Sequence, residues 1–180
     1  FPTRRSSDLI VAKIFSVTTG DFEDFIARDL VAYIDAHYRT IPNRLSRGLA
    51  GHSMGGYGTM RIGMKHPEVF GALYAMSPCC LSARGAPPAA MMSALEAVKT
   101  PEEATKLDFF ARATFASAAA WSPNPKRQPL YLALPPKDGV ADPSVLARWA
   151  ANAPLSMVDQ YVYNLKQYQA IDIDVGDQEG

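Results

Sequence analysis

Short apolar runs alternate along this chain with stretches of helical period, and the sharpest change of pattern surrounds residue 53. The small-sided stretch 46–50 predicts a buried strand, and residues 54–65 predict a helix that ends before Pro67. A second apolar run, 69–77, predicts a strand near 70–76. Because this order is strand, turn, helix, strand, it predicts a parallel crossover unit.

The flanking segments extend this pattern in both directions. Apolar residues at helical spacing predict a helix from Asp21 to about Tyr38. Further helices are predicted over 91–98, 101–120, 143–151 and 155–168, and a last strand near 171–175. The apolar stretch 130–134 fits either a strand or an extended loop. The segment from about 79 to 165 is therefore predicted to be an insertion between two core strands, in the position of a cap or lid.

Composition and charge limit the classes of function. The chain has 180 residues, is 48% hydrophobic and carries 18 basic and 18 acidic side chains, which indicates a globular domain. Zero net charge argues against nucleic acid or an anionic membrane as a partner, and no apolar run reaches the roughly 18 residues of a membrane span. Cys79 and Cys80 are expected to be thiols, and no third or fourth ligand beside them suggests a metal.

Both ends of the chain are abrupt. Residues 1–9 show no period and back-translate to a sequence that resembles a library adapter, so we expect a non-native tail followed by native sequence from near Ile10; a flexible native arm is the alternative. The chain ends four residues after Gly176, at the start of the loop that follows the last predicted strand. We therefore expect residues 10–180 to be part of a larger domain. On its own, this part should expose a sheet edge and apolar surface that the full domain would bury, which favours aggregation. Compartment and oligomeric state stay open.

The candidate chemistry lies in Gly51-His52-Ser53-Met54-Gly55. G-x-S-x-G between a strand and a helix is the pattern of a nucleophile elbow, in which a serine sits on a sharp, strained turn. Gly51 and Gly55 are expected to relieve the crowding that side chains would cause there. The backbone N–H of Met54 would then form half of an oxyanion hole. A glycine-rich turn without catalytic function is the alternative.

Three stretches resemble the esterase branch of the α/β hydrolases, which includes esterase D, feruloyl esterases and mycolyltransferase-like proteins. They are residues 29–40, residues 51–58, and residues 65–70 together with Ser77-Pro78. The resemblance covers roughly 19–80 and reappears at 170–180. It implies a three-layer αβα sandwich, present here in part, with Ser53 as the nucleophile, a histidine as general base and an acid that orients the histidine. It implies no cofactor and no metal.

The acid and the histidine are less certain than the serine. In this fold the acid follows a strand-ending glycine by three residues, which selects Glu179; Asp177 is the competitor, and both are alternatively solvated carboxylates. The histidine should follow the acid, but only Gly180 does. His37, His52 and His66 are expected to be structural. We therefore expect this chain to lack its general base and to be nearly inactive.

The parent protein is interpreted as a serine carboxylesterase acting on a small-molecule ester, either small or aryl. Acyl transfer to a sugar or alcohol acceptor is a second hypothesis, because an acceptor other than water can intercept the same acyl-enzyme. A hydrolase-fold module that binds without catalysis is the third.

Overall fold

The computed structural model describes residues 20–83, 85–137 and 139–177, and contacts group them into two compact units. Residues 23–83 and 153–177 form the unit that contains the large sheet, and residues 85–152 belong to the other. In chain order the elements are α1 (Phe22–Asp24), a π-helical segment (Phe25–Asp29), α2 (Leu30–His37), a 3₁₀ turn (Arg44–Ser46), β1 (Gly48–His52), α3 (Met54–Lys65), β2 (Ala72–Met76), α4 (Ala89–Ala97), α5 (Pro101–Ala104), α6 (Phe109–Trp121), β3 (Pro136–Lys137), β4 (Val140–Ala141), α7 (Pro143–Ala150), α8 (Pro154–Leu165) and β5 (Ala170–Asp174).

The large sheet has three parallel strands in the order β1-β2-β5. The mixed helix and parallel-sheet class predicted from the sequence is confirmed, as are the three predicted strands. β1 lies two residues closer to Ser53 than predicted, so His52 is its last residue. In register, His52 lies opposite Met76, and Met76 lies opposite Asp174. The carboxyl ends of all three strands therefore meet at one edge of the sheet.

Helix α3 packs closely on one face of this sheet. A Cβ added at Gly63 would lie 2.5 Å from Cδ1 of Leu73, so the helix approaches β2 where it lacks a side chain. Met60 and Met64 of α3 form a buried cluster with Ala75 of β2 and with Met157. Such close packing offsets the intrinsic helix cost of a glycine, about 1 kcal/mol relative to alanine.

Helix α8 belongs to the unit that contains the large sheet. Asn164 Nδ2 donates to the Met64 carbonyl at 2.8 Å, and Met157 joins the cluster under α3. Among the described residues, those of the unit without the large sheet are 85–152, which lie within the 79–165 predicted for the insertion. That this segment acts as a cap stays a prediction.

A buried ion cluster joins the amino-terminal helices to the end of α3. Glu23 is only 9% exposed and accepts two hydrogen bonds from Lys65 Nζ, at 3.0 and 3.1 Å. Arg61 Nε lies 3.7 Å and His66 Nε2 lies 3.4 Å from the same carboxylate. The predicted helix 21–38 is present, but its middle turn is π-helical.

The turns that lead into the three strands are joined by Arg44. Its guanidinium donates from Nε to the Pro67 carbonyl at 2.7 Å and from Nη2 to the Gln167 carbonyl at 2.8 Å. Arg44 precedes β1, Pro67 precedes β2, and Gln167 precedes β5, so one side chain holds the amino ends of all three strands. Next to Gln167, the Tyr168 hydroxyl donates to the Gly63 carbonyl at 2.6 Å, and burial raises the pKa of Tyr168 to about 12.

The second unit has its own core. Trp121 and Trp149 are both buried and pack edge to face, with ring centroids 5.6 Å apart, and Trp149 Nε1 donates to Ser122 Oγ at 2.9 Å. The prediction of one helix over 101–120 is wrong in one respect, because the segment is broken between α5 and α6. Asp108 begins α6 as its cap, and its carboxylate accepts from the Ala111 N–H. The stretch 130–134 is mostly buried but is not a strand; a single bridge links Leu132 to Pro123.

Candidate active site

Ser53 occupies the turn between β1 and α3 in a conformation that residues with a side chain rarely adopt. Its φ is 54° and its ψ is −114°, and it is half-buried. The Ser53 N–H donates to the Met76 carbonyl at 2.9 Å, and the Ser53 carbonyl accepts from the Cys79 N–H at 3.1 Å. The strain is therefore maintained by β2 and by the loop that follows it, and this is the geometry expected of a nucleophile elbow. That Ser53 acts as a nucleophile stays a prediction.

The glycines around Ser53 are needed for different reasons. A Cβ added at Gly51 would lie 2.2 Å from the Gly55 carbonyl oxygen and 2.3 Å from its carbon, which no small shift relieves. Apart from its chain neighbours and the backbone of its own helix, a Cβ added at Gly55 meets no described atom within 4 Å. The prediction that Gly55 relieves crowding is therefore wrong. Gly56, which the sequence analysis did not select, is constrained instead, because a Cβ there would lie 2.7 Å from the Pro78 Cβ.

The start of α3 presents hydrogen-bond donors beside Ser53. Met54 is the first residue of α3, and its N–H is one of the four at a helix start that have no intrahelical acceptor. The helix dipole adds partial positive charge at the same point. Ser53 stands at the N-cap position, but its side chain makes no capping hydrogen bond. The local structure thus combines a hydroxyl not used for capping with N–H groups suited to an oxyanion.

The candidate acids follow β5, at the same edge of the sheet as Ser53. The Ser77 N–H donates to the Asp174 carbonyl at 2.7 Å, which fixes the end of β5 beside the end of β2. Asp177 follows in an exposed position, and Glu179 lies outside the described residues. β5 is two strands from β1, a separation of about 10 Å. The fold brings the loop of Asp177 to the edge of Ser53, but within the described ranges no hydrogen bond joins the two residues.

None of the three histidines forms a hydrogen bond with Ser53 within the described part of the chain. His37 Nδ1 lies 2.8 Å from the Tyr33 carbonyl, and its ring stacks on the Tyr33 ring. His66 follows the far end of α3, about 18 Å from Ser53 by helix rise, and contacts Glu23 and Glu68. His52 is exposed on the face of β1 opposite to α3. His37 and His66 are thus held by local contacts away from the serine.

A tyrosine–aspartate pair near this edge was missed by the sequence analysis. The Tyr74 hydroxyl donates to Asp174 Oδ2 at 2.5 Å, and this hydrogen bond, more than burial or the negative charges of Asp174 and Asp172, raises the pKa of Tyr74. The pair ties the carboxyl end of β5 to β2. It could have been found from the sequence, since Tyr74 and the alternating Asp172 and Asp174 lie in strands predicted to be neighbours.

The described residues contain no group of three or more His, Cys, Asp or Glu side chains close enough to hold a metal ion. Among the same residues, no helix is both long enough and apolar enough to cross a bilayer.

Comparisons with known proteins give the following matches. The model of a family described as Putative esterase matches residues 16–180. A curated protein of Xylanibacter ruminicola named endo-1,4-beta-xylanase/feruloyl esterase is 33% identical over 66 residues, which are 37% of this chain and 9% of that protein. A solved structure of a ferulic acid esterase covers 88% of this chain with 55% of its own, at 19% identity and a TM-score of 0.36. The chain thus spans well under two thirds of each of these relatives.

Proposed function

Because this chain belongs to the Putative esterase family, within the α/β hydrolase superfamily, we propose that it carries the nucleophile of a serine carboxylesterase. The observation that supports this most directly is the backbone of Ser53, with φ at 54° at the junction of a parallel strand and a helix start. Strained conformations of this kind persist at functional sites, where the surrounding structure holds them.

In the proposed reaction, Ser53 Oγ attacks the carbonyl carbon of the ester and gives its proton to a general base. The carbonyl oxygen becomes an oxyanion, and the Met54 N–H donates to it at the positive end of α3. The tetrahedral intermediate then collapses, the carbon–oxygen bond to the alcohol breaks, and the alcohol leaves with the proton. Water repeats the sequence on the acyl-enzyme and releases the acid.

The acid of the triad is assigned to Glu179, with Asp177 as the alternative. Both follow the strand β5, whose carboxyl end lies beside that of β2 and hence near the serine edge. The described contacts of Asp177 favour neither choice. Replacing each residue separately with its amide in the full-length protein would decide between them, since only the true acid should lower kcat strongly.

The base is assigned to a histidine other than His37, His52 and His66. His37 and His66 are held by Tyr33 and by Glu23 with Glu68, and His52 lies on the face of β1 away from α3. We infer that the base belongs to the parent protein outside these 180 residues. This chain alone is then a serine site with weak intrinsic reactivity.

The substrate class follows from the relatives and not from a pocket. The Xylanibacter protein is named an endo-1,4-beta-xylanase/feruloyl esterase. We therefore take an aryl ester, of the hydroxycinnamoyl kind, as the first substrate to test, and a small aliphatic ester as the second.

The deciding experiment labels this chain with a fluorophosphonate probe and reads the product by intact mass, with and without imidazole. If the general base is missing, free imidazole supplies it and raises the labelling rate at least about tenfold. This is less than the roughly 10²–10⁴-fold of a positioned general base, because free imidazole is not held beside the serine. Ser53→Ala should abolish the label. Ser77→Ala is the matched control, since Ser77 follows the neighbouring strand and also has a positive φ, of 40°.

Each part of the proposal has its own contradicting result. Label that persists in Ser53→Ala, or wild-type protein that takes no label even with imidazole, would overturn Ser53 as the nucleophile. Fast labelling that imidazole does not accelerate would instead overturn the assignment of the base, because one of the three histidines would then be sufficient.

A further inference from the structure

Tyr74 and Asp174 meet on the face of the large sheet that is opposite to α3. Leu73, the residue before Tyr74 in β2, faces α3 at Gly63, so Tyr74 points to the other side. In register Tyr74 lies opposite Asp172, and Asp174 follows two residues later on the same face of β5. The Tyr74 hydroxyl crosses this diagonal and donates to Asp174 Oδ2 at 2.5 Å.

Asp174 is the last residue of β5, and β2 holds it at two points. Its carboxylate accepts from Tyr74, and its carbonyl accepts from the Ser77 N–H at 2.7 Å. We call residues 175–180, which follow β5, the acid loop. Its described part, 175–177, has no hydrogen bond to the rest of the described chain. The direction in which the acid loop leaves the sheet is therefore set at Asp174.

The nucleophile candidate is fixed to the same end of β2. The Ser53 N–H donates to the Met76 carbonyl at 2.9 Å, and the next residue, Ser77, holds Asp174. Two consecutive residues of β2 thus anchor the elbow on one side and the acid loop on the other. A contact that fixes Asp174 also fixes where the acid loop begins relative to Ser53.

The hydroxyl of Tyr74 opposes a repulsion between two carboxylates. Asp172 and Asp174 lie on one face, about 6.6 Å apart along the strand. The hydrogen bond to Asp174, then burial, and then the negative charges of Asp174 and Asp172 raise the pKa of Tyr74, so its hydroxyl keeps the proton and stays a donor. Without that donor, the charge of Asp172 would push the Asp174 side chain away from β2.

We propose that Tyr74 is a positioning residue for the acid of the triad and acts through Asp174. This rests on the proposed function, which assigns the acid to Glu179 or Asp177 in the acid loop. Tyr74→Phe keeps the ring and removes only the hydroxyl, so the acid loop is no longer held in one direction and the general base loses part of its orientation. Because the acid contacts the base and not the ester, kcat falls and KM does not change.

Steady-state kinetics of the full-length protein with an aryl ester measure this effect. Tyr74→Phe should lower kcat roughly tenfold, within the loss of up to about 10²-fold that a 1 Å misplacement can cause. Asp174→Ala should do the same, and Asp174→Asn should recover most of that loss because its amide oxygen still accepts. Tyr163→Phe is the matched control, since Tyr163 is exposed and its hydroxyl has no hydrogen bond to the described residues.

A double-mutant cycle separates positioning from a general structural role. Glu179→Gln removes the acid, or Asp177→Asn does so if that variant is the one that lowers kcat. In this background Tyr74→Phe should change kcat by less than about twofold, because no acid remains to be positioned. The proposal is overturned if Tyr74→Phe costs the same factor with and without the acid, or if it leaves kcat of the otherwise unchanged enzyme as it was.

Hydrogen exchange of this chain, resolved at single amides, tests the contact without catalysis. The Ser77 amide, which is bonded to Asp174, should exchange roughly fivefold faster in Tyr74→Phe, as expected for one lost hydrogen bond. The Ser53 amide, which is bonded to Met76, should not change. Unchanged exchange at Ser77 would overturn the proposal even if kcat fell. Failure of Ser53 as the nucleophile appears instead as activity that survives in Ser53→Ala, so the two results are distinguishable.

Discussion

At the scale of single residues, the space around Gly51 controls the conformation of the elbow. A methyl group at Gly51 would lie 2.2 Å from the Gly55 carbonyl oxygen, whereas one at Gly55 would meet open space among the described residues. We therefore expect Gly51→Ala to destabilise the protein by about 3 kcal/mol, at the upper end of the cost of overpacking. Urea unfolding measures this change.

Gly55→Ala is the control for that prediction. Gly55 lies in the first turn of α3 with an open side, so alanine should leave stability unchanged or raise it by up to about 1 kcal/mol through its better helix propensity. Equal losses in the two variants would contradict the elbow geometry described here.

The difference between these two glycines shows how far a motif can be read from sequence. The spacing of Gly51, Ser53 and Gly55 identified the turn, because strand and helix periods on either side fixed where it lies. It could not show which glycine is crowded, since that depends on how α3 leaves the turn. Gly56 escaped notice because its partner, Pro78, comes from a different strand end.

At the scale of elements, Arg44 joins three separate turns through backbone carbonyls. Its hydrogen bonds reach Pro67 and Gln167, with a longer one to Phe70 at 3.4 Å. Arg44→Ala leaves the partly buried Pro67 and Phe70 acceptors and the exposed Gln167 acceptor without a charged donor, so we expect a loss of about 2 kcal/mol in urea unfolding. Arg44→Lys should recover less than half, because a single ammonium group lacks the planar fork that spans separate acceptors.

The matched control for Arg44→Ala is Arg39→Ala. Arg39 is exposed and lies two residues after the end of α2. Surface changes of this kind usually stay within about 0.5 kcal/mol. A similar loss in both variants would mean that positive charge in this region, and not the contacts of Arg44, stabilises the fold.

Tyr168, next to Gln167 in the turn before β5, is expected to make the stability of the fold depend on pH. Burial is the main cause that raises its pKa from 10.0 to about 12, so the folded state holds the hydroxyl proton more tightly than the unfolded chain does. Its contribution to stability is therefore complete below pH 10 and is lost as the pH rises from 10 through 12.

Tyr168→Phe tests this contribution. At neutral pH the variant should be less stable by about 1 kcal/mol, since the hydrogen bond to the Gly63 carbonyl is gone. Between pH 10 and 11 the stability of the wild type should fall faster than that of the variant, so the two urea midpoints converge. Parallel curves over that interval would show that ionisation of Tyr168 is not coupled to folding.

Elements with a strong period and clear ends were predictable, and elements whose ends depend on caps were not. Helix α3 was predicted to the residue because Pro67 stops it soon after its last apolar position. The break before α6 was missed because the apolar period continues through it, while Asp108 starts a new helix by capping Ala111. Helix α8 was assigned to the insertion because sequence order alone does not show which unit a helix packs on.

At the scale of the whole molecule, the last strand is the least protected part of the described sheet. All five residues of β5 are exposed, and Ile171 and Ile173 are 41% and 46% exposed on the side of Leu73 and Ala75. The chain has no net charge and a pI of about 7.0, so no long-range repulsion opposes contact between copies at neutral pH. An unprotected apolar edge in a neutral protein favours strand pairing between molecules.

We therefore expect the chain to self-associate in a concentration-dependent way near pH 7, and Ile173→Lys to reduce this association. A lysine in an edge strand places charge where another chain would pair, and it removes apolar area that the fold leaves exposed. Sedimentation velocity at several concentrations measures the effect. Asp172→Asn is the matched control, because it raises the net charge by the same one unit on the opposite face of β5. If both variants dissociate the protein equally, net charge rather than the apolar edge controls association; if only Ile173→Lys does, β5 is the contact.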